Sequence, residues 1–557
     1  MTLFLRKPSL KFLDFVPKSN EKHKVFGFHS KKNKSFAFRK FFSCIDDYYP
    51  KFILTWFLVL WSNDITKIYI NSRSIKIVIS NDDFITFKLK DFKKRDKIYM
   101  LITLTSEDYI MFNKIRLKKI KINNLKNILS SEIEFEKKEY KSVTGIYGSN
   151  GSGKTAVIDS IDILKRILSA DPIIVPFYYV NVLEKKLKLS YTFEYDNNNQ
   201  AMEIIYAIEF SKVNNAVVFS KELLTCKING EIIHTIKIDR MASSVKKGVV
   251  VDKKEYDDSL FDFEKLVNRY SVGIEKSNSL IFGKLYECFN DNKKQEWLKD
   301  LTTHFFIYAK FQMFVIKVKE SSKISANDEI LFHISIQNEN SVTVGIEHCN
   351  LLADNPIEKE HIEDFKTAIG QCNKILSVII PNFEIHVNES EGEVFNQYGK
   401  VCKNVSFDSV RGENIIPLVY ESDGIKKLIS IVSSLISCYN NKSTLVAIDE
   451  LDGGVYEYLL GQIVQVISNN GKGQLIFTSH NLRVLEVIDC NSIVFSTLNP
   501  NNRFIKFTNC KPTNNLRNLY LRALQIGGQK EELYKPMDNV DLKIAFKQAN
   551  VYLKRGN

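Results

Sequence analysis

The sequence predicts an α/β fold whose parallel core is assembled from both ends of residues 111–557, with a mostly helical insertion between them. Three observations predict it. A short apolar strand at 143–147 runs into a glycine-rich loop, and an amphipathic helix follows. Two further apolar strands, TLVAIDE at 444–450 and QLIFTSH at 474–480, each end in polar residues. Between residues 417 and 478 helical and strand patterns alternate, which implies parallel strands joined by crossovers.

Residues 1–110 stand apart as a basic N-terminal extension. They hold 21 Lys/Arg against 11 Asp/Glu, whereas residues 111–557 hold 57 against 54. The whole-chain charge of +13 therefore sits almost wholly in this segment, and net charge gives no sign of a nucleic-acid face on the main body. Two strand-like runs are read at 66–80 and 83–89. The most apolar run, FILTWFLVLW at 52–61, has ten residues. A bilayer needs about 20, so no stable membrane insertion is expected. No signal peptide is visible. The segment is either a small basic appendage or an over-long gene start upstream of Met111.

From residue 114 the pattern changes. KIRLKKIKIN at 114–123 alternates apolar and basic residues, as a half-buried strand does. An Asn-rich link at 123–127 leads to a second strand, where Ile133 and Phe135 alternate with glutamates. AVIDSIDILKRIL at 156–168 repeats apolar residues three and four apart, a helix with one buried face. Residues 187–195, 202–210 and 216–224 read as antiparallel strands and complete a first unit at 111–230. Residues 231–410 read as a mostly helical or mixed insertion without long heptads, and 411–557 as the second half of the core plus a tail. Nine cysteines, an odd number with no zinc-knuckle spacing, suit free thiols in a reducing cytosol.

Gly148, Ser149, Asn150, Gly151, Ser152, Gly153, Lys154 and Thr155 spell G-x-x-x-x-G-K-[ST]. Glycines let the backbone wrap so that amide N–H groups point at phosphates, and the following helix adds the positive end of its dipole. Lys154 can reach the β- and γ-phosphates, and the Thr155 hydroxyl can ligate Mg²⁺. Of the two acids ending the 444–450 strand, Asp449 is placed to hold Mg²⁺ and Glu450 to orient or deprotonate a water. His480 lies 31 residues after Asp449, room for one helix between neighbouring strands, and can hydrogen-bond a γ-phosphate. Ser422 and Gly424 form an S-x-G step 27 residues before Asp449; alone it would be an ordinary helix cap. The phosphate loop upstream is what lends the other three segments a chemical reading.

The order of phosphate loop, S-x-G helix, IDE strand and TSH strand resembles the ABC-type ATPases. Within them it is similar to the group holding chromosome-maintenance, DNA-break-repair and overcoming-lysogenisation-defect (OLD) ATPases. More narrowly it resembles stand-alone AAA-family ATP-binding proteins of bacterial defence islands and prophages. Asn124-Leu125-Lys126, Lys221-Glu222-Leu223, the tail 516–521 and Gly527-Gly528 carry that likeness. The resemblance implies an ABC-type ATPase head that binds ATP and Mg²⁺ in the cytoplasm. It also implies a head-to-head dimer or larger assembly, in which Ser422 and Gly424 touch a γ-phosphate held by the partner's Lys154 and Asp452 lies at the seam. The implied role is sensing and regulation in anti-phage defence through a separate effector such as a nuclease.

Two departures bear on the hydrolysis rate. No glutamine suits the magnesium-contacting loop near 176–177, and Gly453-Gly454-Val455-Tyr456 replaces the His-Pro of relatives. The 266 residues from Ala156 to Glu421 hold no long coiled coil, so a long-armed DNA clamp is not expected. Two alternatives stay open: a DNA-repair ATPase acting directly on DNA, and a scaffold that binds ATP without significant turnover.

Overall fold

Strands that are apolar on both faces need cover on both sides. In the computed structural model of the chain, a six-stranded sheet provides the frame. Its order is Met313–Ile316, Leu445–Ile448, Gln474–Thr478, Val143–Tyr147, Ile493–Ser496, Phe504–Ile505. All neighbours are parallel except the last pair. The structure describes residues 115–553 apart from 136–142, 198–199, 253–259, 276, 319–328, 338–340, 396–400, 508–509, 511–514 and 536. Before residue 115 it describes the backbone of six short strands.

Successive residues of the parallel strands enter two different cores, as the period of two requires. Ile146, Ala447, Ile476 and Val494 join one core with the helix Lys154–Leu168. Tyr147, Val446, Ile448, Phe477 and Phe495 join the other, with the helices Asp423–Asn440 and Glu457–Asn470. The helix Asp423–Asn440 has a second apolar face, where Ile429 and Val432 enter a third core. Apolar residues around most of its circumference are what a buried helix requires.

A seven-stranded antiparallel sheet shares the first core. Its order is Val249–Val251, Glu231–Asp239, Ala216–Ile228, Gln200–Val213, Lys186–Asn197, Ile115–Leu125, Ile128–Glu134. The two sheets are tied by Gln474, whose amide accepts from Leu117 N–H (3.0 Å) and donates to Leu117 O (2.7 Å). The range 231–410 holds the helices Phe263–Glu275, Asn292–Ile307 and Ile362–Ile379. It also holds most of a four-stranded sheet built from Asn355–Glu358, Phe383–Phe395, Val401–Arg411 and Asn414–Pro417. Met313–Ile316, inside the same range, is the edge strand of the parallel sheet.

The strand-like runs near the N-terminus coincide with Lys67–Ile70, Ser74–Val78 and Phe84–Lys88. Ile102–Thr105 pairs antiparallel with Ser341–Asn350 in an eight-stranded sheet. The apolar run 52–61 lies outside the described residues. Among the described residues no helix is long and apolar enough to cross a membrane.

One expectation is corrected. Cys490 and Cys510 form a disulfide, with Cα atoms 6.3 Å apart, whereas all nine cysteines were expected as free thiols. The antiparallel return of Phe504–Ile505 against Ile493–Ser496 brings the two together. Cys226, Cys288, Cys349, Cys372, Cys402 and Cys438 are buried, and Cys44 lies outside the described residues.

Candidate functional site

The phosphate-loop candidate leaves the end of Val143–Tyr147, a fully buried strand near the middle of the parallel sheet. Outside the carboxyl ends of parallel strands is where such folds bind ligands. Glycine is required at two places. A Cβ on Gly148 would stand 1.6 Å from Ser496 Oγ, and Gly153 adopts φ 96° where it caps the helix Lys154–Leu168. The Ser496 hydroxyl donates to Tyr147 O (3.1 Å) and meets the Ser152 hydroxyl at 2.5 Å. The Asn127 amide donates to Gly151 O from the other side. Lys154 rests its ammonium on its own loop, donating to Gly148 O (2.9 Å) and Ser149 O (3.0 Å). Burial lowers its pKa, while the carboxylates of Asp449, Glu450 and Asp452 pull the other way.

The acidic residues follow the end of the adjacent-but-one strand, Leu445–Ile448. Asp449 is 1% exposed. Its Oδ1 accepts from the Thr478 hydroxyl (2.6 Å) and from the Thr155 hydroxyl (3.3 Å). Its Oδ2 is buried with no hydrogen-bond partner among the described residues. A buried carboxylate oxygen left so is costly, and a hard divalent cation with oxygen ligands would satisfy it. The donor set of Thr155 and Asp449 thus fits Mg²⁺.

Glu450 has φ 52°, a left-handed conformation that costs an ordinary L-residue about 1–2 kcal/mol. Three hydrogen bonds hold it. Its N–H donates to Thr478 Oγ1 (2.7 Å), and its carbonyl accepts from Lys427 Nζ (2.5 Å) and Gly453 N–H (3.0 Å). Its side chain is exposed. His480 is exposed too, and its backbone N–H donates to Asp452 Oδ2 (3.0 Å). Ser422 caps the helix Asp423–Asn440, its hydroxyl accepting from Ile425 N–H (3.4 Å). The nearest neighbour of Gly424 is the Gly454 carbonyl; a Cβ there would approach it to 2.0 Å.

The structure therefore gathers Lys154, Thr155, Asp449 and Thr478 at the carboxyl ends of the parallel strands, with Glu450 and His480 exposed beside them. Ser422 and Gly424 sit at a helix start packed on the turn after Glu450. Near 176–177, where relatives would place a glutamine, Phe177–Tyr179 makes a single turn. The Tyr179 hydroxyl donates to Asp159 Oδ1 (2.9 Å) on the helix Lys154–Leu168. Burial opposes ionisation of Asp159, but the Lys126 and Lys317 ammoniums hold its carboxyl below the usual value. Four contacts were not read from the sequence: the Thr478 bridge, the Lys427 bond, the Ser496 clamp and the Asn127 clamp. Thr478 lies in the QLIFTSH strand and Lys427 in the S-x-G segment, whereas Ser496 and Asn127 lie in no chemical motif.

Residues 115–485 match the family described as AAA ATPase domain. No curated protein matches the chain. Among solved structures, the head of an SMC protein bound to the C-winged helix domain of ScpA is similar at 12% identity, covering 71% of this chain and 98% of that one with a TM-score of 0.37. The SMC head domain from Thermotoga maritima is similar at 15% identity, covering 71% and 99% with a TM-score of 0.33. The recombination mediator protein RecF is similar at 12% identity, covering 71% and 99% with a TM-score of 0.30. With the family match running from the first strand of the antiparallel sheet to beyond His480, the chain belongs to the AAA ATPase domain family and is an ATP hydrolase.

Proposed function

We propose that the chain binds Mg²⁺-ATP on residues 148–155 and hydrolyses it slowly, with Lys154, Glu450 and His480 as the catalytic groups. The observation that carries this is the buried, unpartnered Asp449 Oδ2 beside the Thr155 hydroxyl. Thr155 and Asp449 would hold Mg²⁺, which when bound neutralises charge on the β- and γ-phosphate oxygens. Gly148, Ser149, Asn150, Gly151, Ser152 and Gly153 offer backbone N–H groups to the phosphates. Lys154 exchanges two loop carbonyls for phosphate oxygens. Glu450 orients or deprotonates the attacking water, and His480 reaches the γ-phosphate. Positioning and charge supply most of the rate in such a transfer.

Ser422 and Gly424 act from a second copy, closing a head-to-head assembly on the nucleotide. The motif order supports a sensor or regulator in an anti-phage defence system that controls a separate effector such as a nuclease.

The test uses Lys154→Ala and Glu450→Gln. Lys154→Ala is expected to lose Mg²⁺-ATP retention, and Glu450→Gln to retain ATP while turnover falls about 10²- to 10⁴-fold. Unchanged retention in the first or unchanged turnover in the second would remove the assignment. The wider role is tested by phage challenge of cells carrying the chain with and without Lys154→Ala. Equal plaque counts remove the defence reading, and tight, salt-sensitive DNA binding by the purified chain would favour the DNA-repair one.

A further inference from the structure

We propose that Lys427 is a positioning residue that ties the S-x-G helix to the backbone of Glu450, so that what seats on the start of that helix sets the alignment of the Glu450 carboxylate. The inference rests on the reading of Glu450 as the group that orients water.

Lys427 is 6% exposed, on a helix with cores on two sides. Burial lowers the pKa of its ammonium, while the charges of Asp452, Glu450 and Asp449 pull the other way, and none of the three makes an ion pair with it among the described residues. Its hydrogen bond nevertheless goes to a main-chain carbonyl, that of Glu450 at 2.5 Å. A cation placed for charge balance alone would take a carboxylate oxygen. One that takes the carbonyl fixes the main chain and leaves the exposed Glu450 side chain to its surroundings.

The contact is one of two on the same helix face. Gly424, three residues earlier, packs on the Gly454 carbonyl so closely that a Cβ would stand 2.0 Å from it. Residues three apart share a helix face. The turn between these contacts is itself closed by Gly453 N–H to Glu450 O (3.0 Å) and Val455 N–H to Asp452 O (3.1 Å). The start of the S-x-G helix and the turn 450–454 are thus clamped at both ends, and Glu450 is the residue in that turn held at φ 52°. A left-handed conformation in a non-glycine residue persists only where its surroundings over-determine it. Lys427 is the part of those surroundings that comes from the S-x-G helix.

The experiment measures steady-state kcat, the Kd for Mg²⁺-ATP and the thermal midpoint of the full chain carrying Lys427→Met, Lys427→Arg or Gly453→Ala, with Glu450→Gln in parallel. Lys427→Met is expected to lower kcat about 10- to 100-fold, as loss of an orienting partner does, with ATP affinity held. Lys427→Arg restores most of kcat, because a guanidinium can still donate to the carbonyl. Gly453→Ala lowers kcat with Lys427 still present, since its Cβ would stand 3.0 Å from Lys427 Nζ and 3.4 Å from Glu450 O. Wild-type kcat in Lys427→Met overturns the proposal, and so does a parallel loss of kcat, ATP affinity and thermal midpoint, which marks a merely structural lysine. If Lys427→Met does not fold, Gly453→Ala decides, and unchanged kcat there overturns the proposal. An inactive Glu450→Gln beside an active Lys427→Met sinks the Lys427 role alone. An active Glu450→Gln sinks the reading beneath it as well.

Discussion

One hydroxyl connects the two acids. Thr478 Oγ1 donates to Asp449 Oδ1 at 2.6 Å and accepts the Glu450 N–H at 2.7 Å. It therefore orients the carboxylate that fits the metal and pins the backbone of its neighbour. Thr478→Val keeps the shape and removes both bonds. Steady-state assays should show kcat reduced about 10- to 100-fold, and Thr478→Ser should keep most of it. A Thr478→Val enzyme with wild-type turnover would show that the bridge has no part in the reaction. Thr478 was visible in QLIFTSH, because a polar triplet ending an apolar strand stands out. Ser496 and Asn127 carried no such mark. Each is an ordinary polar residue whose value lies in reaching Ser152 and Gly151 across the fold.

The S-x-G helix has its own anchor just ahead of its cap. Arg411, on the strand Val401–Arg411, grips Glu421 with two bonds (2.7 and 2.9 Å), and Ser409 Oγ adds a third at 2.6 Å. Burial raises the Glu421 pKa, but the Arg411 fork and the Ser409 hydroxyl outweigh it and hold the carboxyl below its usual value. A depressed folded pKa adds stability above the unfolded value, near 4.3, and that stability is lost as pH falls through the folded value. Urea titrations should thus show the junction weakening below about pH 4. Arg411→Met should cost about 1–3 kcal/mol at neutral pH and flatten that acid limb. An unchanged acid limb in the variant would rule out Glu421 as its source. The helix itself was legible, since its apolar residues repeat at helical spacing. The sheet that anchors it was not: Phe383–Phe395 and Val401–Arg411 fall in a range whose mixed pattern allowed either helix or strand.

At the scale of the molecule, the site is assembled from segments far apart in the chain. Val143–Tyr147 pairs with Gln474–Thr478 on one side and Ile493–Ser496 on the other. A ligand bridging the loop and the acidic turn joins both ends of the core. Mg²⁺-ATP at about 100 times its Kd should stabilise the chain by about 2.7 kcal/mol, read as a rise in thermal midpoint. EDTA should remove most of that rise, and Asp449→Asn should make the remainder insensitive to magnesium. A midpoint indifferent to both would contradict the metal assignment.

Local spacing was enough to place the glycine-rich loop 148–155, its helix, the two apolar strands with their polar ends, and the first antiparallel strands. Each of those is written in residues a few positions apart, and backbone geometry alone decides which way their side chains alternate. Packing decided the rest: the order of the parallel strands, the recruitment of Met313–Ile316 as an edge, and the pairing of Cys490 with Cys510. It also set Lys427 and Thr478 around Glu450. Those choices depend on which surfaces meet when several elements bury one another at once. No spacing along the chain records that, because contacts such as Gln474 with Leu117 join residues 357 positions apart.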